Sequence, residues 1–248
     1  NCMLTVNIFP GGRKHITGNR CEKGAGGSSV GEKAPNIFEY KRERIFGYEP
    51  LSAAEAKRGT IGIPRVLNMY ENYPFWATFF KALGFRAVLS PFSDRRIYEL
   101  GMESIPSESE CYPAKLAHGH AQWLINNGIK TVFHPCVFYE HKETEDAQNH
   151  FNCPMVVSYP ENLKNNIEQI TDGEVRYIRP FMAFTDEKTV ASRLARLCAE
   201  EWDISRAEVQ NAVRLAWAEQ LKCKADIRAE GKRLIDEMRN KGGKGIVL

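Results

Sequence analysis

The sequence has no long apolar run, no large charge excess and no N-terminal signal sequence. No stretch approaches the roughly 18–20 apolar residues that a membrane-spanning helix needs. The 34 basic and 31 acidic residues leave a formal net charge of only +3, whereas nucleic-acid-binding proteins usually carry a basic stripe. Residues 1–10 lack the basic and apolar regions of a secretory signal. We therefore expect a cytoplasmic protein that binds neither membranes nor nucleic acid.

Several short functional motifs are also absent. The sequence has no Cys-x-x-Cys pair and no His-Glu-x-x-His. Gly26 and Gly31 have the spacing of a phosphate-binding loop, but Glu32 follows where that motif requires Lys. No predicted strand leads into this segment. We interpret it as a flexible loop and predict no nucleotide site.

Short apolar strands alternate with helices from residue 61 onward. The predicted strands are 61–67, 85–89, 131–134, 154–159 and 175–179, and the predicted helices between them include 74–83, 113–127 and 160–170. This alternation predicts right-handed βαβ units and a mostly parallel sheet. Because no eight-fold repeat is present, we expect an α/β fold with an open, doubly wound sheet of the Rossmann or flavodoxin type.

The chain divides into three predicted parts. They are a Gly-rich N-terminal segment with two cysteines at 1–59, the α/β domain at 60–185 and a C-terminal helical extension at 186–248. The first part is loop-like except for a strand at 4–9 and a helix at 53–57. The extension holds helices at 188–201 and 205–240, and its last residues resemble the start of a strand. We therefore expect the chain to be a fragment that leads into a truncated next domain.

Five of the seven cysteines lie in predicted loops and are candidate metal ligands: Cys2, Cys21, Cys111, Cys136 and Cys153. Cys111 precedes a helix, whose dipole and free amide groups would stabilise a thiolate. Cys136 directly follows a strand. Both therefore map to the carboxyl edge of the sheet, where open parallel sheets bind ligands. Cys153 precedes a predicted strand and is expected nearer the opposite edge, unless the loop at 137–152 folds back.

Each cysteine could instead be a small buried hydrophobic residue. We favour that interpretation for Cys198 and Cys223, which lie on predicted helices, while spacing alone favours neither interpretation for the loop cysteines. His118 and His120 are two residues apart on one predicted helix. They do not share a helix face, so we interpret them as surface or packing residues rather than a metal site.

Four segments, in order along the chain, resemble one known family. They are GNRCEKG at 18–24, NMYENYPFW at 68–76, ESECYPAK with His118-Gly119 beyond it, and NCP at 152–154 followed by SYPE at 158–161 and KNN at 164–166. The chain resembles the domain attached to the activators (activases) of 2-hydroxyacyl-CoA dehydratases. It is also similar to the iron–sulfur subunits of those dehydratases and to the double-cubane-cluster reductases.

This resemblance implies anaerobic iron–sulfur chemistry. In these systems an ATP-hydrolysing activase domain or subunit passes low-potential electrons to a cysteine-bound cluster, which reduces an acyl-CoA or similar substrate. The chain would be the electron-accepting module. The resemblance implies a cluster of the [4Fe-4S] type held by Cys111 and Cys136, with Cys153, Cys21 and Cys2 as further candidate ligands. We also expect a homodimer.

Two other functions stay open at this point. The chain could be a non-catalytic scaffold or regulatory domain that docks the activase, with cysteines that are reduced or bind zinc. The lack of an obvious general base and nucleophile favours this alternative. The sheet crevice could also form a small-molecule site for CoA or a nucleotide that is independent of any metal.

Overall fold

The computed structural model describes residues 3–18 and 35–245. The chain divides into two compact units, Asn1–Asn36 and Ile37–Leu248. The first unit holds an antiparallel hairpin of β1 (Thr5–Ile8) and β2 (Lys14–Thr17). Its turn passes through Gly11 and Gly12, which have φ angles of 87° and 78°, a conformation that glycine adopts without strain. The strand predicted at 4–9 is confirmed.

The second unit is built on a parallel sheet. Its four strands lie in the order β4-β3-β5-β7, with β3 at Thr60–Ile63, β4 at Arg86–Leu89, β5 at Thr131–Phe133 and β7 at Arg176–Ile178. Two further strands, β6 (Cys136–Tyr139) and β8 (Phe181–Ala183), pair in parallel with each other. The predicted α/β class and open parallel sheet are therefore confirmed.

Two prolines explain why β6 and β8 form a separate pair. Pro135 stands between β5 and β6, and Pro180 stands between β7 and β8. Proline has no backbone N–H and interrupts a strand ladder. Pairing resumes directly afterwards, because the Cys136 amide donates to the Pro180 carbonyl at 2.9 Å. The chain of β5 thus continues into β6, and that of β7 into β8, beyond the end of the main sheet.

Helices cover the sheet, and two of them follow the last strand. They are α1 (Ile37–Phe46), α2 (Met69–Ala82), α3 (Arg95–Gly101), α4 (Tyr112–Asn126), α5 (Pro154–Asn166), α6 (Glu168–Thr171), α7 (Glu187–Trp202) and α8 (Arg206–Asn240), with one 3₁₀ turn at Met102–Ser104. The predicted helical extension is confirmed as α7 and α8, and Ser205 caps α8 by accepting the Glu208 amide at 3.3 Å.

Alternating residues of the strands face two separate hydrophobic layers. Ile61, Phe133 and Ile178 belong to a cluster with α2, α7 and α8. Val132 precedes Phe133, and Tyr177 precedes Ile178. Both belong to a second cluster with α4 and α5. Successive side chains of a strand point to opposite faces, so the helices flank the sheet on both sides. This is the doubly wound arrangement that the sequence predicts.

Two local predictions are wrong. Residues 53–57 form a turn rather than a helix. Ser52 and Glu55 begin it with side-chain bonds of 2.6 and 2.9 Å, as at a helix start, but Gly59 follows with a φ angle of 87°, a conformation that ends helices. Residues 154–159 begin helix α5 rather than a strand. Two valines there favour a strand, but a proline opens the helix at its first position. Tyr159 and Leu163, four residues apart, are also both fully buried, as one face of a helix requires.

Candidate functional site

The amino ends of α4 and α5 lie at the carboxyl edge of the parallel sheet. Both helices lead into parallel strands, α4 into β5 and α5 by way of α6 into β7, so they run opposite to the sheet. At the start of α5, Asn152 donates from its backbone to Phe138 O and from its side chain to Val137 O, each at 3.1 Å. The loop at 137–152 folds back on β6 through an antiparallel bridge between Tyr139 and Phe151. Cys153 therefore lies at the carboxyl edge, which is the exception stated for its expected place near the opposite edge.

Cys111 and Cys153 occupy equivalent positions in this arrangement. Each is the N-cap residue of its helix, each is exposed, and each is followed by a proline within the first two helical positions. The Cys111 carbonyl accepts the Ala114 and Lys115 amides at 3.0 and 3.1 Å. Neither thiol makes a capping hydrogen bond. Both sulfurs are therefore available at the positive end of a helix dipole.

The residue before Cys111 is anchored to α5. Glu110 Oε2 accepts the Tyr159 hydroxyl at 2.6 Å, and Glu110 Oε1 accepts the Asn162 amide at 3.2 Å. The same hydroxyl lies 3.1 Å from His118 Nε2 on α4. This network joins the amino end of α4 to the middle of α5 and holds the backbone next to Cys111 in place.

The residue before Cys153 is anchored in the same way by a different carboxylate. Glu140 Oε1 accepts the side-chain amides of Asn68, Asn72 and Asn152, at 2.5, 3.0 and 3.0 Å. Burial raises the pKa of Glu140, while the amide donors favour its charged form. The network joins α2, the end of β6 and the start of α5, and so positions Cys153.

Cys136 lies in a different environment from these two. It is fully buried at the first position of β6, and its thiol lies 3.9 Å from the Arg179 carbonyl oxygen. Burial raises the pKa of this thiol to about 12, so it is protonated at neutral pH. Its role as a ligand stays a prediction. Cys198 and Cys223 are buried on α7 and α8, which confirms their interpretation as packing residues.

The chain can now be compared with known proteins. A family model described as the CoA enzyme activase uncharacterised domain (DUF2229) matches residues 60–248. The chain belongs to this family. The match confirms the resemblance to the activase-related family, and it begins at β3 and includes all the elements that form the carboxyl edge. No curated protein matches the chain, and no solved structure does.

Three buried histidines near this edge carry hydrogen bonds that were not foreseen. His118 Nδ1 lies 2.7 Å from the Ser104 hydroxyl, His120 lies 2.8 and 2.9 Å from those of Ser90 and Ser93, and His134 lies 2.9 Å from that of Tyr177. Burial lowers the pKa of His118 and His120 to about 4 and that of His134 to about 3. All three rings are therefore neutral at pH 7. His118 and His120 have separate partners, which confirms that they are packing residues.

The carboxylates Glu110 and Glu140 were also missed. Glu110 and Asn152 each stand directly before a candidate cysteine, within the segments that carry the family resemblance. Their position directly before a candidate cysteine could have indicated that these two residues hold the cysteines in place. Glu140 had no comparable signal, because its three partners come from residues 68 to 152. Only the tertiary fold brings them together.

The remaining candidate residues lie outside the described part of the chain. Cys2, Cys21 and the glycine loop at 26–31 all fall there, so their roles stay predictions. Within residues 3–18 and 35–245, no group of three or more His, Cys, Asp or Glu residues is placed to hold a metal ion. No helix in those ranges is long and apolar enough to cross a membrane.

Proposed function

We propose that this domain is the electron-accepting iron–sulfur module of an ATP-dependent activase system. Its membership of the CoA enzyme activase domain family supports a role in such a system. The observation that carries the proposal is the equivalent placement of Cys111 and Cys153. Both thiols are exposed, make no capping hydrogen bond and start helices at one edge of the sheet.

The chemistry of these two cysteines fits an iron–sulfur cluster. Thiolates are the ligands that such clusters prefer, and two helix amino ends favour the negative charge of thiolates and cluster. Cys111 and Cys153 would hold the cluster, with Cys136, Cys21 and Cys2 as candidates for the remaining positions. A [4Fe-4S] cluster, when bound, supplies transfer of single electrons at low potential.

The protein residues would orient the ligands and tune their surroundings. Glu110 and Glu140 hold the peptide units next to Cys111 and Cys153 through the hydrogen bonds given above. Outer contacts of this kind orient metal ligands and adjust the properties of the bound group. An ATP-hydrolysing activase as donor, an acyl-CoA as electron acceptor, a homodimer and a cytoplasmic location are further parts of the proposal.

A scaffold that docks the activase is the second candidate function. It is supported by the lack of a three-residue metal-binding group within residues 3–18 and 35–245. Under this alternative, Cys111→Ala would leave the affinity for a purified activase unchanged, and the wild-type protein would bind no iron. Iron binding by the wild-type protein would exclude the metal-free form of the scaffold.

Anaerobic reconstitution with iron and sulfide tests the proposed function. We expect about four irons per chain if one [4Fe-4S] cluster forms, with visible charge-transfer absorbance. Cys111→Ser and Cys153→Ser should each lower the iron content by more than half, because a hydroxyl is a poor ligand for this soft-metal site. The matched control is Cys223→Ala on α8, which should keep the wild-type iron content. Less than about one iron per wild-type chain contradicts the proposal.

A further inference from the structure

Four arginines on α7 and the start of α8 are exposed without a carboxylate partner. They are Arg193, Arg196, Arg206 and Arg214, and none forms an ion pair within the described ranges. Arg193 donates to the Phe181 carbonyl at 3.1 Å and Arg214 to the Asn211 side chain at 3.0 Å. Both acceptors are neutral. None of the four guanidinium groups is therefore paired with a carboxylate, although Arg193 and Arg196 also line a neighbouring cavity with Glu161, Glu200 and Glu201.

Two adjoining grooves lie among these arginines, and together we call them the arginine groove. The first has a volume of about 650 Å³ and is lined by Ser192, Arg193, Ala195, Arg196, Ala199 and Arg206. The second, of about 580 Å³, shares Ser192 and Arg206 with the first and continues to Lys188 and Arg214. Glu187 is the one acidic residue in either lining. The arginine groove is therefore strongly cationic.

The far half of α8 shows the opposite arrangement. Arg228 pairs with Glu143, Arg233 pairs with Glu230 at 2.6 Å and Glu237 at 3.0 Å, and Arg239 lies 4.0 Å from Asp236. Each arginine there faces at least one carboxylate. The same helix thus compensates its arginines at one end and leaves them uncompensated at the other. Uncompensated charge on one face is the pattern expected of a surface that meets an anionic partner.

The lining of the arginine groove indicates what kind of anion it suits. It contains no aromatic residue, so it offers no platform on which a nucleobase could stack. Its length along α7, from Lys188 to Ala199, is roughly 16 Å at 1.5 Å per residue. That is about three helical turns, and it exceeds the size of a single phosphate group. Arginine forks bind carboxylates in bidentate geometry.

We propose that the arginine groove docks an acidic segment of a partner protein. Aspartate and glutamate side chains of the segment would pair with Arg193, Arg196, Arg206 and Arg214, while Ala195 and Ala199 leave room for its backbone. The inference stands apart from the proposed cluster, because it uses no cysteine. Such a surface would speed association with the partner and fix its orientation.

Binding of a labelled, glutamate-rich helical peptide to the full chain tests this proposal by fluorescence anisotropy. The test variant is Arg196→Glu with Arg206→Glu. The control is Arg96→Glu with Arg239→Glu, which changes the net charge equally at exposed positions outside the groove. We expect at least a tenfold loss of affinity in the test variant and less than a twofold change in the control. Binding should also fall at about 0.5 M salt, where the Debye length is roughly 4 Å.

Three results would overturn the proposal. The first is no binding of the peptide to the wild-type protein at low salt. The second is an equal loss in the test and control variants, which would indicate attraction by net charge alone. The third is tighter binding of inorganic tripolyphosphate, displaced by the same arginine changes, which would indicate a phosphate ligand instead. Circular dichroism of each variant confirms that the helices are retained.

Discussion

The five described cysteines fall into two groups, one exposed and one buried, and the thiols of the two groups are expected to differ in reactivity. Cys111 and Cys153 are exposed at helix amino ends of the carboxyl edge, while Cys136, Cys198 and Cys223 are buried. Burial raises the pKa of both Cys136 and Cys198 to about 12. The comparison teaches that the position of a cysteine in the fold decides its chemistry. Exposure and a nearby helix end suit a ligand, whereas apolar burial suits packing.

The largest expected difference between the two groups is in thiol reactivity. The thiolate is the reactive species, and a thiol with a pKa of about 12 has only about one part in 100,000 as thiolate at pH 7. We expect iodoacetamide to modify Cys111 and Cys153 at least about a thousandfold faster than Cys136 and Cys198. Peptide mass spectrometry of the native protein over time measures these rates. Comparable modification rates for all four cysteines would contradict the division into exposed and buried thiols.

Replacing the carboxylate that anchors Cys153 tests whether the fold holds this exposed cysteine in place. Glu140→Ala leaves three amide groups without their acceptor, and we expect it to lower the free energy of unfolding by about 1–3 kcal/mol. Hydrogen exchange at residues 150–156 should accelerate, because Asn152 loses one of the three hydrogen bonds that hold the start of α5 to the end of β6. Urea denaturation and exchange mass spectrometry measure both effects.

The control for this change is Glu140→Gln, which keeps one oxygen acceptor. It should lower the free energy of unfolding by less than the alanine variant does. Glu110→Ala is the matched change beside Cys111, since Glu110 anchors that cysteine through Tyr159 and Asn162. It should loosen residues 108–114 but not residues 150–156. An unchanged stability in both alanine variants would show that these networks do not hold the cysteines.

The buried histidines predict how this edge responds to acid. Burial lowers the pKa of His118 and His120 to about 4, below the usual value of about 6.5. Between these values only the unfolded chain takes up the protons, so stability falls as the pH decreases from about 6.5 towards 4. Each histidine contributes a slope of up to about 1.4 kcal/mol per pH unit. Glu140, whose pKa is raised, acts in the opposite direction.

Urea denaturation at pH 7 and at about pH 5 measures this dependence. His120→Gln should flatten the profile, because the unfolded chain then gains one proton fewer. A wild-type stability that does not change between these pH values would contradict the assignment of neutral, buried rings.

The smallest expected difference between the two groups is in the free energy of unfolding after a cysteine is replaced by serine. Cys198→Ser places a hydroxyl in an apolar site and should destabilise the protein by about 1 kcal/mol or more. Cys111→Ser should instead be neutral or stabilise by about 0.5 kcal/mol, because serine is a preferred N-cap residue. Urea denaturation at one pH measures both. Equal costs at the two positions would show that Cys111 packs as tightly as Cys198.

Sequence patterns predicted the architecture better than they predicted the site. Trp76, Phe79 and Phe80 recur at helical spacing and are fully buried on α2, and the alternation of strands and helices is confirmed, because both patterns are local. The two valines of 154–159 favoured a strand, and that error made the opposite edge the expected place of Cys153 unless the loop at 137–152 folds back, as it does. The helix depends instead on its opening proline and on the burial of Tyr159 and Leu163.

The anchoring of the edge cysteines depends on contacts that sequence spacing does not express. Asn68 and Asn152 are 84 positions apart, yet both donate to Glu140 Oε1. Cys111 was predicted from its place before a helix, and the structure confirms that place. Cys136 was predicted from its place after a strand, and only the packing around β6 shows that its thiol is enclosed.

Protection of the cysteines on anaerobic loading with iron and sulfide tests the central claim most directly. The protein is loaded, treated briefly with iodoacetamide and mapped by mass spectrometry, next to an unloaded sample. We predict that loading strongly suppresses modification of Cys111 and Cys153, because their sulfurs become ligands. Modification of both cysteines at the unloaded rate, in protein that has taken up iron, would contradict the claim that these two residues hold the cluster.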